Sequence, residues 1–241
     1  MARDFLDIAQ GSRHQLKRHG HPFLKCEWSI ADFVMAGNAD LAHPAAMSTR
    51  TAASPSGRSS AGAATDLLSE INAASPQVAS RLVAPFIENA PWLAERAIGR
   101  RPFSSVDALL DALASTIQTA DIGDQLRLLG GHPELAGAEA RAGRMTAEST
   151  GEQGRLGLDR LSPGDLARLD TANRAYRARF GFPYIVALHR HGALSDIFRD
   201  LDARMGNDPD TERACALNEV IAVTRGRLIR HFGPFPILPT A

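Results

Sequence analysis

Three places in the 241-residue chain combine residue types that could move a proton on a small anion. The first is His132, in the run Gly130-Gly131-His132-Pro133. Glycines before it and a proline after it pin the backbone, so an imidazole there can be aimed. With a reference pKa of about 6.5, a neutral imidazole can accept a proton and later return it. The second is Glu152-Gln153, a carboxylate beside an amide that both donates and accepts. The third is Arg227. Ala216, Val220, Val223 and Arg227 step by 4, 3 and 4, which puts the guanidinium on a helix stripe that otherwise faces the core. A buried Arg needs an anion partner, and its planar fork suits a carboxylate. Each place also has a purely structural alternative. His132 could cap a turn. Glu152 could lie in the exposed first turn of a helix over 152–160, and Arg227 could snorkel or pair with an acidic residue near the end of its helix.

The elements that must position these residues are helices. From Asp66 nearly to the end, apolar residues recur at helical spacing, beginning with Leu67, Leu68 and Ile71. Ser75-Pro76 and Ser162-Pro163 are helix starts, with Ser as N-cap and Pro in the first turn. Pro91 opens a short helix, and Ser104 caps one carrying Val106, Leu109, Leu110, Leu113 and Ile117. Five glycines over 121–145 predict short helices broken by turns. The helix from Ser162 carries Leu166, Leu169, Asn173, Tyr176 and Phe180 on one stripe and stops at Gly181. Residues 192–205 form another helix, and Pro209 opens the last, running to about Phe232. Tyr184–Leu188 has strand-like composition. An isolated strand lacks a partner, so it reads as an extended or short helical buried segment. The sum is an all-α, single-domain bundle of about eight helices over 65–241. Residues 1–64 read as an irregular or flexible extension, rich in Ser, Ala, Gly and Thr over 48–64.

Bulk composition narrows the partners. Lys plus Arg and Asp plus Glu balance at 27 each, so there is no broad basic field for nucleic acid, and any anion must be held by local donors. Cys26 and Cys215 show no metal spacing and no disulfide framework. No apolar run approaches a membrane span, and the N-terminus does not look like a secretory signal. These features fit a cytoplasmic protein without a metal site.

Four patches, in order and with matching gaps, resemble the family of 2-oxo-4-hydroxy-4-carboxy-5-ureidoimidazoline (OHCU) decarboxylases. They are Phe86-Ile87-Glu88-Asn89-Ala90-Pro91-Trp92 with Arg101-Pro102-Phe103; His132-Pro133-Glu134-Leu135-Ala136-Gly137; Thr146-Ala147-Glu148-Ser149 with Glu152-Gln153; and Arg179-Phe180-Gly181-Phe182-Pro183-Tyr184-Ile185. Glu219-Val220 with Arg227-Leu228 is a weaker fifth. The resemblance covers about residues 66–232. Residues 1–60 read as a lineage-specific extension, or as a stretch upstream of a start at Met47. Asn89 and Ala90 depart from the His or Lys and the Ser or Cys frequent in the family.

The resemblance implies a cofactor-free carboxy-lyase of urate degradation that yields (S)-allantoin. The ring itself holds the electron sink, so the protein supplies orientation, charge and a positioned proton. His132 is then the proton acceptor and donor. Glu152 orients the imidazole or binds the ureido N–H groups. Pro133, Ser149, Gln153 and Arg227 bind substrate, with Arg227 on its carboxylate. Phe182, Tyr184 and Ile185 form a wall whose backbone reads the ureido and ring edges. The family also implies a homodimer, with Trp92 and Ile98 as candidate apolar surface. Two other readings stay open: a helical ligand-binding homologue without turnover, and a decarboxylase of a related small ureido acid.

Overall fold

The computed structural model describes residues 60–233, with side chains from Leu67 onward. Ten α-helices follow one another: α1 (Ser60–Ala73), α2 (Pro76–Val83), α3 (Pro91–Ala97), α4 (Val106–Gln118), α5 (Ile122–Gly130), α6 (Ala138–Arg141), α7 (Ala147–Arg155), α8 (Pro163–Phe180), α9 (Leu194–Arg204) and α10 (Pro209–Phe232). Short 3-10 turns follow at Ala84–Phe86, Ile98–Arg100 and Leu188–Arg190, and none of the described residues forms a strand. The all-α expectation holds. The first helix begins at Ser60, inside the stretch read as a linker; residues 1–59 of the expected extension lie outside the described residues.

Local chemistry sets the helix ends. Ser75 and Ser162 cap α2 and α8 through their hydroxyls, with Pro76 and Pro163 in the first turn. Gly181 ends α8 at φ +82, a left-handed conformation that glycine adopts without steric cost. One cap is corrected: Ser105, not Ser104, accepts the Ala108 N–H of α4. Adjacent serines are equivalent as caps, and packing of Leu109, Leu110 and Leu113 selects the register. A second correction concerns Glu152. No helix starts there; α7 starts at Ala147 behind the Thr146 N-cap, which places Glu152 in its second half.

The last helix is the spine. Helix α10 packs on α1, α4, α5 and α8. Its Ala216, Val220 and Leu228 and the α4 residues Leu109, Leu113 and Ile117 are essentially inaccessible to water. Truncating Leu113 to Ala would cost about 2–5 kcal/mol, the transfer term plus a cavity.

Residues 183–187 run extended between α8 and the 188–190 turn, and all are buried. With no sheet to join, their backbone needs other partners. Side chains from three helices supply them. Arg204 Nη1 donates to the Ile185 carbonyl at 2.7 Å, the Ala187 N–H donates to Glu219 Oε2 at 2.7 Å, and Arg155 Nη2 donates to the Leu188 carbonyl at 2.5 Å.

Candidate active site

His132 follows the Gly131 C-cap of α5, where the last carbonyls of the helix take their donors from the residues beyond it: the Gly131 N–H reaches the Leu128 carbonyl at 3.2 Å. Its Nδ1 lies 3.0 Å from the Leu128 carbonyl oxygen. A carbonyl only accepts, so this contact assigns the proton to Nδ1 and leaves Nε2 bare in the neutral ring. Nε2 is buried and has no partner among the described residues. Burial, the largest influence on the ring, holds its pKa below the usual histidine value, against the opposing pull of the Leu128 bond and the charge of Glu88. The imidazole is therefore neutral at pH 7.

The loop carrying His132 and Pro133 is tied down behind them. Gln153 Oε1 accepts the Ala136 N–H at 2.8 Å, and Asn173 Nδ2 donates to the Leu135 carbonyl at 3.0 Å. These bonds hold Ala136 at φ +48, a strained backbone for a residue with a Cβ. Gly137 lets the turn close, because a Cβ there would stand 2.6 Å from Glu134 Cβ. Gln153, expected on the substrate, thus also ties down this loop, and it lines the cavity.

Helix α7 supplies the carboxylate. Glu152 grips Arg227 in a two-point pair, Nε to Oε1 at 3.1 Å and Nη2 to Oε2 at 3.0 Å, and Arg230 bonds the same carboxylate. Burial alone would push Glu152 upward. Arg227, then Arg230, outweigh it, so its pKa sits below the ordinary glutamate value.

A residue that sequence reasoning did not single out completes the cluster. Glu88, 2% exposed, accepts from Ser149 Oγ at 2.8 Å, from Arg227 Nη2 at 2.8 Å and from Thr146 Oγ1 at 3.0 Å. Thr146 caps α7 and holds Glu88 with one hydroxyl. Arg227 is buried as its stripe implies, but Nε and Nη2 already serve two carboxylates. Among the described residues, Nη1 alone of its nitrogens has no acceptor, and that edge is what remains for a substrate carboxylate. The only sequence signal for Glu88 was its place inside the Phe86–Trp92 patch.

A cavity of about 40 Å³ joins these groups. His132, Pro133, Ser149, Glu152, Gln153 and Arg227 line one part of it, and Tyr184, Ile185, Val186 and Leu188 form the extended wall. Val223 of α10 completes it. The Tyr184 hydroxyl is turned away to donate to Asp200 at 2.5 Å; burial, then the Asp200 charge, drive its pKa well up. Phe182 does not line the cavity. Its ring packs on Tyr176 and Phe180. Phe182 stands in the bend that follows Gly181, before the extended run begins at Pro183, and it stays with the aromatic rings at the end of α8.

Among the described residues no cluster of His, Cys, Asp or Glu has metal-binding geometry, and no helix is long and apolar enough to cross a membrane.

The family model described as OHCU decarboxylase matches residues 72–229. The chain is 39% identical over 141 residues to a protein of Halalkalicoccus jeotgali named 2-oxo-4-hydroxy-4-carboxy-5-ureidoimidazoline decarboxylase, covering 58% of this chain and 77% of that one. Proteins of the same name from Amia calva and Mus musculus are 36% and 35% identical over 142 residues each, covering 59% of this chain and 81% and 79% of theirs. A crystal structure of (S)-allantoin synthase shares the fold at TM-score 0.53 and 22% identity, over 70% of this chain and 53% of that one. The match spans α2 through most of α10 and every polar residue of the cavity, and the chain belongs to the OHCU decarboxylase family.

Proposed function

We propose that this protein decarboxylates 2-oxo-4-hydroxy-4-carboxy-5-ureidoimidazoline to (S)-allantoin, with His132 as the proton carrier. The observation that carries this reading is the buried, unpartnered Nε2 of a neutral imidazole on a cavity shared with Glu152 and Arg227.

The chemistry divides among the groups as follows. Nε2 takes the proton of the substrate hydroxyl. The electrons of the carbon–carboxylate bond pass into the adjacent C=N system as CO2 leaves, and the hydroxyl oxygen becomes a ring carbonyl. The imidazolium returns its proton to the ring carbon on the face it can reach. Starting from the carboxylate form, one further proton comes from solvent. Glu152, kept ionised by Arg227 and Arg230, accepts from ureido N–H groups, while the Arg227 Nη1 edge orients the departing carboxylate. Ser149 and Pro133 border the ring, and Tyr184 and Ile185 belong to the wall that reads its amide edges. No step requires a cofactor.

The test is to oxidise and hydrolyse urate in situ, add the chain, and follow optical activity. Rapid formation of one allantoin enantiomer, faster than the spontaneous racemic decay, is the expected result. An unchanged rate overturns the reading. The same reading carries a homodimer in the cytoplasm. Ile98 is buried and Trp92 lies half-buried beside Arg96 and Arg127, so the candidate apolar surface moves to Ile122 and Leu126, 58% and 43% exposed. Light scattering on the purified chain gives the mass of the assembly.

A further inference from the structure

Resting on the activity proposed above, a second question is what fixes the width of the cavity. One side is rigid, built from α7, α10 and the tied-down His132 loop. The other is the extended wall 184–188, which has no sheet to hold it. An unpaired buried backbone group is costly, so the wall stays in place only while its side-chain partners do.

One of those partners also belongs to the cavity-bearing face of α10. Glu219, Val223 and Arg227 are spaced by four, on one stripe. Arg227 and Val223 line the cavity; Glu219, one turn earlier, accepts the Ala187 N–H at 2.7 Å and receives Arg190 Nη1 at 3.2 Å. Further along the helix, Gly226 permits close approach of the turn after the wall, since a Cβ there would stand 3.0 Å from the His189 ring. The wall is thus referenced directly to the helix that carries Arg227. On an extended chain, peptide groups two residues apart point the same way and the one between points oppositely. The Ile185 carbonyl and the Ala187 N–H turn outward to Arg204 and Glu219. The peptide groups of Val186, a cavity residue, therefore turn the other way.

We propose that Glu219 is a positioning residue for substrate recognition. Its carboxylate, through the Ala187 N–H, sets the distance between the Val186 wall and the Arg227–Glu152–His132 face. Because it acts on the recognising wall and not on the proton carrier, its loss weakens binding more than the chemical step.

The experiment compares Glu219→Ala, Glu219→Gln and Glu219→Asp with the parent chain. Three quantities are read: kcat, KM for the in-situ ureidoimidazoline, and hydrogen exchange at the Ala187 amide. Glu219→Ala is expected to raise KM about 10- to 100-fold with kcat within about threefold, and to expose the Ala187 amide to exchange. Glu219→Gln keeps an acceptor and is expected to restore both KM and protection to within about threefold of the parent. Glu219→Asp withdraws the acceptor by one methylene and falls between; it serves if the Ala variant does not fold. The proposal is overturned if Glu219→Ala or Glu219→Asp leaves KM and Ala187 protection unchanged. It is equally overturned if Glu219→Gln is as impaired as Glu219→Ala, because then the charge opposite Arg190 matters and not the acceptor. Absence of turnover in the parent chain would defeat the activity itself, while the exchange data would still decide whether Glu219 holds the wall.

Discussion

Arg204 and Arg227 are both buried, lie on consecutive helices and face carboxylates, yet they sit in opposite kinds of surroundings. Arg204 donates to Glu212 from Nε and Nη2 at 2.9 and 2.5 Å and to the Ile185 carbonyl from Nη1. Glu212, completely buried, also receives the Tyr176 hydroxyl and Asn207 Nδ2. Every edge of that guanidinium and both oxygens of its partner are used. Around Arg227, two carboxylates meet one guanidinium, one donor edge is left over, and the His132 ring, with one unpartnered nitrogen, lines the same cavity. A closed network of charges holds helices together. An open one keeps bonding capacity in reserve for a ligand, and the reserve is where chemistry can occur.

The largest expected effect is at the open centre. Arg227→Ala strands the buried Glu88 without its counter-charge, leaves Glu152 to Arg230 alone, and should cost about 3–5 kcal/mol of stability, with turnover lost as well; urea unfolding and the optical-activity assay measure the two. His132→Asn should lower kcat by about 10²- to 10⁴-fold while the unfolding midpoint barely moves, since Nε2 has no protein bond to lose. Near-normal turnover in this variant would remove His132 from the mechanism. At the closed centre, Tyr176→Phe deletes one bond to Glu212 and should cost about 0.5–1.5 kcal/mol with kcat unchanged. A fall in kcat like that of His132→Asn would erase the contrast between the two centres. pH gives a subtler separation. The folded-state pKa of His132 lies below its unfolded value of about 6.5, so between the two the unfolded chain binds more protons and stability falls as pH drops through that window. In the proposed mechanism the base form is the active one, so the acid limb of kcat/KM should lie below about pH 6.5 and disappear in His132→Asn. The smallest expected effect is none: chelators should leave the rate unchanged.

Much of the scaffold could be read from residues alone, because its signals are local. Ser-Pro pairs, Gly181 and the periodic leucines of α4 each act within a turn or two. The stripe argument for Arg227 also succeeded, since burial on a regular helix follows from spacing. Other parts resisted for physical reasons. Helix α7 is nine residues of mostly small and polar type, with too few apolar positions to show a period, so Glu152 was assigned to the wrong turn as its alternative. Glu88 is invisible locally: a lone carboxylate is expected at the surface, and its burial depends on Arg227, 139 residues away. Gln153 is expected on the substrate because an amide both donates and accepts; the fold adds a second task, holding the Ala136 N–H, to a residue that lines the cavity. Phe182 is expected on the cavity by adjacency to Tyr184, but it lies in the bend after Gly181, where its ring joins Tyr176 and Phe180 in the aromatic core.

The bond between His132 and the Leu128 carbonyl has one more consequence. It makes the ring a cul-de-sac. With one nitrogen moored to the end of a helix, a proton collected at the other cannot be passed onward through the imidazole and must leave by the way it came. Under the mechanism proposed for His132, the handedness of the product would be inherited from a helix terminus, since an anchored ring addresses a flat intermediate from a single side.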